Sequence, residues 1–434
     1  MIPQLRDLEH RFPNELAVVG VHSGKYTRER DSERIGDACN RLGVRHPVVN
    51  DRQFRMWRAY AVRAWPTIVL LDPSGYVLGS HAGELTADDL APTLERLIAE
   101  AREGEVLVDV PWRLEPDAPT IVPGVLRYPG KVELDGERVA IADSGHHRVL
   151  VGRVADGGRR VRIDRVFGGG SAGFVDGEDA RFDMPQGLVL KGDTLFVADA
   201  ENHAIRACDL VSGAVRTIAG TGRQLRTRAD LESGALSSPW DLAVAGTTLF
   251  IAMAGNHQLW SLELGGRDRA RRHSGSNRED IIDGQHRDAA LAQPMGITSS
   301  GERLYFADAE SSAVRWADAD PRGEVGTIVG TGLFDFGDRD GVADDVRMQH
   351  QQGIARHSDG RLLVADSYND ALKWVDPATR RAETWIRGLH EPCGVAVGNG
   401  YVLVADTNAH RVVRVDEERG TMEDVRIEGG AIDI

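Results

Sequence analysis

Aspartate and histidine side chains, which bind metals and move protons, recur at fixed positions in the last three-quarters of the chain. Six copies of one short pattern carry them, beginning at Ala142, Ala198, Ala252, Ala307, Ala365 and Ala405. An aspartate stands second in five copies: Asp143, Asp199, Asp308, Asp366 and Asp406. Met253 replaces it in the third copy. Histidines at equivalent later positions are His147, His203, His257 and His410.

A metal site needs ligands that converge to about 2 Å from one ion. Equivalent positions in a repeat stand on separate structural units, so we interpret these histidines as turn-stabilising residues. Each aspartate ends an apolar run and begins a turn, where its carboxylate can accept backbone N–H groups. The turn at Met253 must be held in another way.

Alternating apolar runs flank every copy and predict its secondary structure. Leu195-Phe196-Val197 precedes the second copy and Ala204-Ile205-Arg206-Ala207 ends it, which indicates two strands joined by a turn. Further short runs give four strands per repeat, at intervals of 40 to 58 residues. Such a repeat predicts an all-β, six-bladed β-propeller over residues 123–434. The apolar residue that ends each copy should pack between blades: Val149, Ile205, Leu259, Val314, Leu372 and Val412.

A second pattern lies between the predicted blades. Asp176-Gly177, Asp283-Gly284 and Asp340-Gly341 each precede an apolar residue that stands five positions before a glycine at the start of the next innermost strand. In a variant loop, Leu236 stands five positions before Asp241. These apolar residues should be buried anchors of structured loops: Phe182, Leu236, Leu291 and Met348. The loops should gather on one face around the central channel, which is the default binding site of such a fold.

The starts of the innermost strands supply the candidate binding residues at this channel mouth. They are Gln186, Trp240, Asp241, Met295, Gln352 and Cys393. A hydrolase or lyase with a channel metal would need acidic or histidine ligands, and this set is poor for a divalent cation. It suits an organic or peptide contact better, so we predict no metal and no cofactor.

The first hundred residues alternate between strand and helix patterns and predict an α/β domain. Strands are expected at Leu16–His22, Val48-Val49 and Thr67–Leu71, and helices at 31–42, at 51–60 and from Thr86 to about Gly104. The predicted domains are therefore 1–104, a linker at 105–122 and the propeller at 123–434. Four prolines should stiffen the linker, and Val106–Val110 could pair as an edge strand.

Two local motifs resemble known families. Asn202-His203-Ala204-Ile205 and Asn256-His257-Gln258-Leu259 are similar to the signature of NHL repeats. Ala64-Trp65-Pro66-Thr67, followed by an apolar strand and Asp72-Pro73-Ser74-Gly75, resembles the thioredoxin-like fold. That resemblance implies a cis proline at Pro66, with Trp65 and Thr67 in the same loop. Together, the two halves resemble the NHL repeat-containing protein 2 family over nearly the whole chain.

The chain departs from that family at its start. The resemblance implies a Cys-x-x-Cys pair after a central strand, whereas Met1–His10 looks like the rest of the helix that follows such a pair. We expect the strand and both cysteines upstream of residue 1; the alternative is a truncated, redox-inactive domain. The cysteines present, Cys39, Cys208 and Cys393, form no such pair and are interpreted as packing residues.

Composition bounds the remaining function classes. The net charge of −15 argues against binding to a phosphate backbone, and no apolar stretch is long enough to span a membrane. Few cysteines and no signal-peptide pattern favour a cytoplasmic protein, and the excess of arginine over lysine favours a bacterial source. We predict a monomeric, non-catalytic scaffold for a protein or peptide partner. The alternative is a thiol–disulfide oxidoreductase whose propeller selects the substrate, so enzymatic activity stays open.

Overall fold

The structure, a computed structural model, describes residues 1–107, 124–266 and 269–429. The chain divides into two compact units, Met1–Ile121 and Val122–Ile434. Most of the predicted linker and most of the predicted edge strand at Val106–Val110 lie outside the described residues.

The first unit contains helices and short strands in alternation. The helices are α1 Ile2–Arg11, α2 Ser32–Leu42, α3 Arg55–Ala59 and α4 Ala87–Glu103, and the strands are β1 Gly20–His22, β2 Val48–Asn50, β3 Thr67–Leu71 and β4 Val77–Ala82. Strand β1 pairs in parallel with β2, and β3 pairs antiparallel with β4. The two pairs form separate two-stranded sheets.

Helices α1 and α4 pack together in this unit through an apolar core that includes Leu8, Ala91 and Leu94. The start of α4 is fixed by a capping box, in which Thr86 and Asp89 exchange side chain to backbone hydrogen bonds.

Two predictions in this unit were wrong in extent. The strand expected over Leu16–His22 is confined to β1, and Val21 is 42% exposed rather than buried on both faces. The helix expected over residues 51–60 is only α3, because the Asp51 carboxylate accepts the N–H groups of Arg55, Met56 and Trp57. Asp51 therefore caps a short helix instead of lying within a longer one.

The second unit is a six-bladed β-propeller, as predicted. Blade 1 consists of β5 Pro129–Asp135, β6 Arg138–Asp143, β7 Arg148–Ala155 and β8 Arg160–Phe167. Blade 2 consists of β9 Pro185–Lys191, β10 Thr194–Asp199, β11 Ala204–Asp209 and β12 Val215–Ala219. Helix α5 Arg228–Ser233 precedes blade 3, which consists of β13 Pro239–Ala245, β14 Thr248–Met253, β15 Gln258–Glu263 and β16 Arg271–Ser274.

The later blades repeat this order with short additions. Strand β17 Gly284–Gln285 precedes blade 4, which consists of β18 Pro294–Ser299, β19 Arg303–Asp308, β20 Ala313–Asp318 and β21 Glu324–Val329. Strand β22 Gly341–Val342 precedes blade 5, which consists of β23 Gly353–Arg356, β24 Leu362–Asp366, β25 Ala371–Asp376 and β26 Arg381–Arg387. Blade 6 consists of β27 Pro392–Val397, β28 Tyr401–Asp406, β29 Arg411–Asp416 and β30 Met422–Asp424, and β31 Arg426–Glu428 follows it.

The last strand closes the ring. Strand β31 leaves blade 6 and pairs in parallel with β8, the outermost strand of blade 1. The first blade is therefore held by both ends of the propeller sequence.

Apolar clusters fill the space between neighbouring blades and confirm the predicted burial. The residues that end each repeat are all at most 1% exposed: Val149, Ile205, Leu259, Val314, Leu372 and Val412. The loop anchors are equally buried: Phe182, Leu236, Leu291 and Met348.

The repeated aspartates bind backbone groups outside their own turns. Each carboxylate accepts an N–H group from the loop that enters its own blade; Asp199, for example, accepts that of Asp183 and Asp308 that of Ala292. In blade 3, the Met253 sulfur accepts the N–H group of Ser237 at 3.4 Å. Blade 3 therefore keeps the contact without a charge.

A buried cation fastens the entering loop to the blade. In blade 4 the fully buried Arg315 bonds Asp308 at 2.9 Å and Asp283 of the entering loop at 3.0 Å. Asp283 in turn accepts the N–H and hydroxyl groups of Thr327 on β21. The cation thus joins the loop, the second strand and the third strand.

The same arrangement recurs in two other blades. Arg206 holds Asp199 and Asp176 in blade 2, and Lys373 holds Asp338 and Asp340 in blade 5. The aspartate-rich segment 338–340 is therefore an anchor for Lys373.

Replacing Arg315 with Met should leave Asp308 buried without its cation. Removal of one partner of a buried pair costs about 3–5 kcal/mol, so the free energy of unfolding in a denaturant titration should fall by that amount. Arg287→Met removes an arginine that is 81% exposed beside Asp288, and should change the free energy by less than about 1 kcal/mol. Equal effects of the two substitutions would contradict the role assigned to the cation.

Candidate functional site

The innermost strands all begin at the same face of the propeller and form the mouth of its channel. The start of each innermost strand has the same three positions in order: a residue with positive φ, a proline and the residue at the mouth. In blade 5, Gln351 replaces the proline. We call the six third-position residues the mouth ring: Gly130, Gln186, Trp240, Met295, Gln352 and Cys393. Sequence reasoning found five of them and missed Gly130.

The positive-φ residues are Tyr128, Met184, Ser238, Gln293, His350 and Glu391, with φ between 46° and 62°. In four of the six interblade contacts, the Nδ1 atom of a repeat histidine accepts the N–H group of the positive-φ residue in the next blade. The pairs are His147 with Met184, His203 with Ser238, His257 with Gln293 and His410 with Tyr128.

In the other two contacts the acceptor is a side-chain oxygen. The N–H group of His350 donates to Ser312 Oγ, and the N–H group of Glu391 donates to Asp370 Oδ1. The histidines therefore stabilise more than their own turns, because they also fix the next blade at the mouth. Histidine suits this position because it adopts the left-handed conformation more readily than most residues, and His147 has a φ of 53°.

The mouth ring has an apolar half and an uncharged polar half. Trp240 packs with Met295, Ala254 and Ala309 on the side of blades 3 and 4. Across the ring, the Cys393 thiol donates to Gln352 Oε1 at 2.9 Å. The Oε1 atom of Gln186 lies where a side chain at Gly130 would begin, so the glycine makes room for it.

Asp241 lies one residue deeper than the mouth ring and is only 3% exposed. Four of the six residues at this level are glycines: Gly187, Gly296, Gly353 and Gly394. The two exceptions are Lys131 and Asp241, and Lys131 Nζ lies 2.5 Å from Asp241 Oδ2. The pair crosses from blade 1 to blade 3 past Gly187, where an added Cβ would lie 2.4 Å from Asp241 Cα.

A third charged residue stands beside this pair. Glu133 lies two residues beyond Lys131 on β5, and burial raises its pKa to about 7 while the charge of Lys131 opposes that shift. Burial also raises the pKa of Asp241, against the charge and hydrogen bond of Lys131. We call Lys131, Glu133 and Asp241 the channel triad. Sequence reasoning missed Lys131 and Glu133, although aligning the six strand starts places Lys131 where four other copies have glycine and Glu133 where the other copies have uncharged residues.

The predicted cis-proline loop lies in the first unit. The Trp65–Pro66 peptide bond is cis, and Thr67 Oγ1 donates to the carbonyl oxygen of Ala64. Trp65 is 48% exposed, and its Nε1 donates to the carbonyl oxygen of Ser23 at 2.8 Å. Its ring lies 4.4 Å from that of Trp57.

The cysteines stand apart from one another. Cys208 and Cys393 are buried, Cys39 is partly buried on α2, and all three are free thiols. Burial raises the pKa of both Cys39 and Cys208, which disfavours the thiolate.

Within residues 1–107, 124–266 and 269–429, no three His, Cys, Asp or Glu side chains are grouped to hold a metal ion. None of the helices in the same ranges has the length and apolarity needed to cross a bilayer.

Comparison with known proteins identifies relatives of the whole chain. NHL repeat-containing protein 2 of Gallus gallus is 36% identical over 96% of this chain and 64% of that protein. The Homo sapiens protein of the same name is 35% identical over the same shares. The chain belongs to the NHL repeat-containing protein 2 family. No protein-family model matches it.

A plant protein extends this family relationship. Protein SUPPRESSOR OF QUENCHING 1, chloroplastic, of Arabidopsis thaliana is 35% identical over 97% of this chain and 43% of that protein. The chain thus spans about two-fifths to two-thirds of the length of these relatives. These relatives are eukaryotic, so the predicted bacterial source stays a prediction.

Similar solved structures share little sequence identity with this chain. The nidogen/laminin complex has a TM-score of 0.46 and 14% identity over 66% of this chain and 92% of that chain. Streptogramin B lyase has a TM-score of 0.45 and 10% identity over 71% of this chain and 85% of that chain.

Acid should weaken the contact between His410 and Tyr128, which joins blade 6 to blade 1. Burial, with the nearby charge of Arg127, lowers the pKa of His410 below its usual 6.5. The stabilisation that the neutral His410 ring provides is therefore present above pH 6.5, and it is lost as the pH falls through the lowered pKa of His410. Asn accepts a hydrogen bond and tolerates positive φ but does not titrate there. Between about pH 7 and pH 5, His410→Asn should thus lose less unfolding free energy than the unchanged protein.

The measurement is chemical denaturation at each pH, with the exposed His81→Asn as the matched control. The control should keep the slope of the unchanged protein. Identical slopes for all three proteins would contradict the titrating role of His410.

Proposed function

We propose that this protein is a non-catalytic interaction scaffold whose mouth ring binds a protein or peptide partner. The observation that carries this proposal is the composition of the ring, which pairs the apolar Trp240, packed on the buried Met295, with the neutral polar groups of Gln186 and Gln352. Such a ring can bury an apolar side chain and bond peptide amides at the same time.

The loops around the mouth support the same function. Each of the four long interblade loops presents an exposed apolar residue: Phe174, Leu231, Ile282 and Phe334. Because each innermost strand starts at the face where the preceding blade ends, these loops surround the channel mouth. Apolar residues at the rim and an aromatic anchor near the centre are typical of protein-binding surfaces.

We further propose that the first unit is a thioredoxin-like adaptor domain. The order of its helices and strands and the loop of Trp65, Pro66 and Thr67 support this assignment. Cytoplasmic location and a monomeric state stay predictions of the composition.

Substitution of Trp240 by Ala should weaken partner binding, because a large aromatic anchor supplies more than about 2 kcal/mol at many interfaces. A partner captured on the immobilised protein is purified, and its Kd is measured by calorimetry. We expect Trp240→Ala to raise the Kd at least about tenfold, whereas Trp316→Ala, on the third strand of blade 4, should leave it unchanged. Equal affinity for Trp240→Ala and the unchanged protein would remove the mouth ring as the binding site.

A second candidate function is thiol–disulfide exchange, and the split sheet of the first unit favours it. The pairs β1–β2 and β3–β4 share no hydrogen bonds, and Val19 and Val21 beside them are 45% and 42% exposed. His22 Nε2 and Asn50 Oδ1, at paired positions of β1 and β2, are buried without a hydrogen bond among the described residues. A strand between the two pairs would cover these groups, and we propose that it precedes Met1 and carries the Cys-x-x-Cys pair.

Insulin reduction separates the two candidates. Residues 1–434 alone should give no dithiol-dependent reduction, and a protein extended by the upstream codons should reduce insulin and lose that activity when both new cysteines become serine. A stop codon directly before Met1, or an inactive extended protein, would reject the redox function. Either result leaves the binding test at Trp240 unaffected.

A further inference from the structure

We propose that Lys131 and Asp241 condense into an amide bond that covalently links blade 1 to blade 3 across the propeller channel. This modification is independent of the partner proposed above. It would make the propeller a cross-linked ring at the level where four other blades have glycine.

The reacting groups are already in contact and shielded from solvent. Lys131 Nζ lies 2.5 Å from Asp241 Oδ2, and the two residues are 6% and 3% exposed. Gly187 lies between them in blade 2, and its missing side chain lets the backbone at Asp241 approach closely. Groups held in this way react with effective concentrations of about 10⁵ M or more, which favours condensation over hydrolysis.

The carboxyl group of Asp241 is polarised for attack by an amine. Its Oδ1 accepts the N–H group of Leu242 at 2.9 Å, and its Oδ2 accepts that of Ile297 at 3.0 Å. The donors are fixed by the backbone of two different blades. They stabilise the negative charge that develops on oxygen when nitrogen adds to the carboxyl carbon.

The surroundings also favour the uncharged form of the Asp241 carboxyl group. Removing a carboxylate from water is costly, so burial favours the protonated form of the carboxyl group. Burial raises the pKa of Asp241 in this direction, and it raises the pKa of Glu133 to about 7. Glu133 can therefore accept and return a proton near neutral pH. We assign it as a positioning and proton-holding residue, because it acts beside the reacting pair.

The reaction balances without a cofactor. The ammonium of Lys131 gives up a proton, Nζ bonds to Cγ of Asp241, and the C–Oδ2 bond breaks. Oδ2 and two protons leave as water. Oδ1 remains as the amide oxygen and still accepts the hydrogen bond from the N–H group of Leu242, and Nζ keeps one hydrogen. No atom changes its oxidation state.

Lys373 provides an internal comparison because it is also a fully buried lysine. Its Nζ bonds Asp338 and Asp340, whose side chains are 31% and 44% exposed, and it lies 4.0 Å from Asp366. The two carboxylates that bond its ammonium are partly exposed to water and share that one ammonium, so this site should remain an ion pair.

Intact-mass spectrometry of the purified, denatured protein tests the proposal. The main species should be lighter than the sequence by one water molecule, and a tryptic digest should contain a branched peptide joining segments 128–138 and 229–267. Lys131→Arg keeps a cation beside Asp241 but removes the reactive amine, and should restore the full mass. Glu133→Gln should slow the formation of the amide bond, so that the full-mass species predominates.

The unchanged protein alone decides the main claim, even if a variant fails to fold. Full mass, with Lys131 cleaved normally by trypsin, would overturn the proposal and leave a simple ion pair. A bond that forms equally fast in Glu133→Gln would overturn the role of Glu133. A branched peptide at Lys373 instead of Lys131 would overturn the assignment of the site.

Discussion

The propeller depends on a contact made from the end of the second strand of each blade, by an aspartate carboxylate in five blades and by the Met253 sulfur in blade 3. That carboxylate accepts an N–H group of the entering loop, and in blades 2, 4 and 5 a fully buried cation lies between it and an aspartate of that loop. The loop must cross the blade from its outer edge to the channel. Fastening it therefore fixes both the outer strand and the start of the innermost strand, and so sets the geometry of the mouth ring.

The architecture was predictable because its determinants are local and repeated. Strand alternation, the apolar residue at the end of each copy and the loop anchors such as Phe182 lie within a few residues of one another. The bounds of the first unit were less predictable because β1 lacks a partner on one side. The capping action of Asp51 on α3 also depends on a folded turn that periodicity does not reveal.

The candidate site was predictable only in part because its decisive contacts join different blades. The pair of Lys131 and Asp241 is separated by 110 positions in the sequence. Each residue alone looks like an isolated substitution of a repeated glycine, and only the ring brings the two together past Gly187. The repeat histidines were also predictable only in part. The sequence showed that they recur, but it did not show that each accepts a hydrogen bond from the next blade.

The parallel addition of β31 to β8 has a consequence for biosynthesis. During translation, blades 1 to 5 can form their internal hairpins while the rest of the chain is still on the ribosome. Residues 426–428 emerge after all six blades, so the outer edge of blade 1 stays unpaired until they have been made. Until then, nascent chains can associate edge to edge at blade 1, and the pairing of β31 with β8 covers that edge.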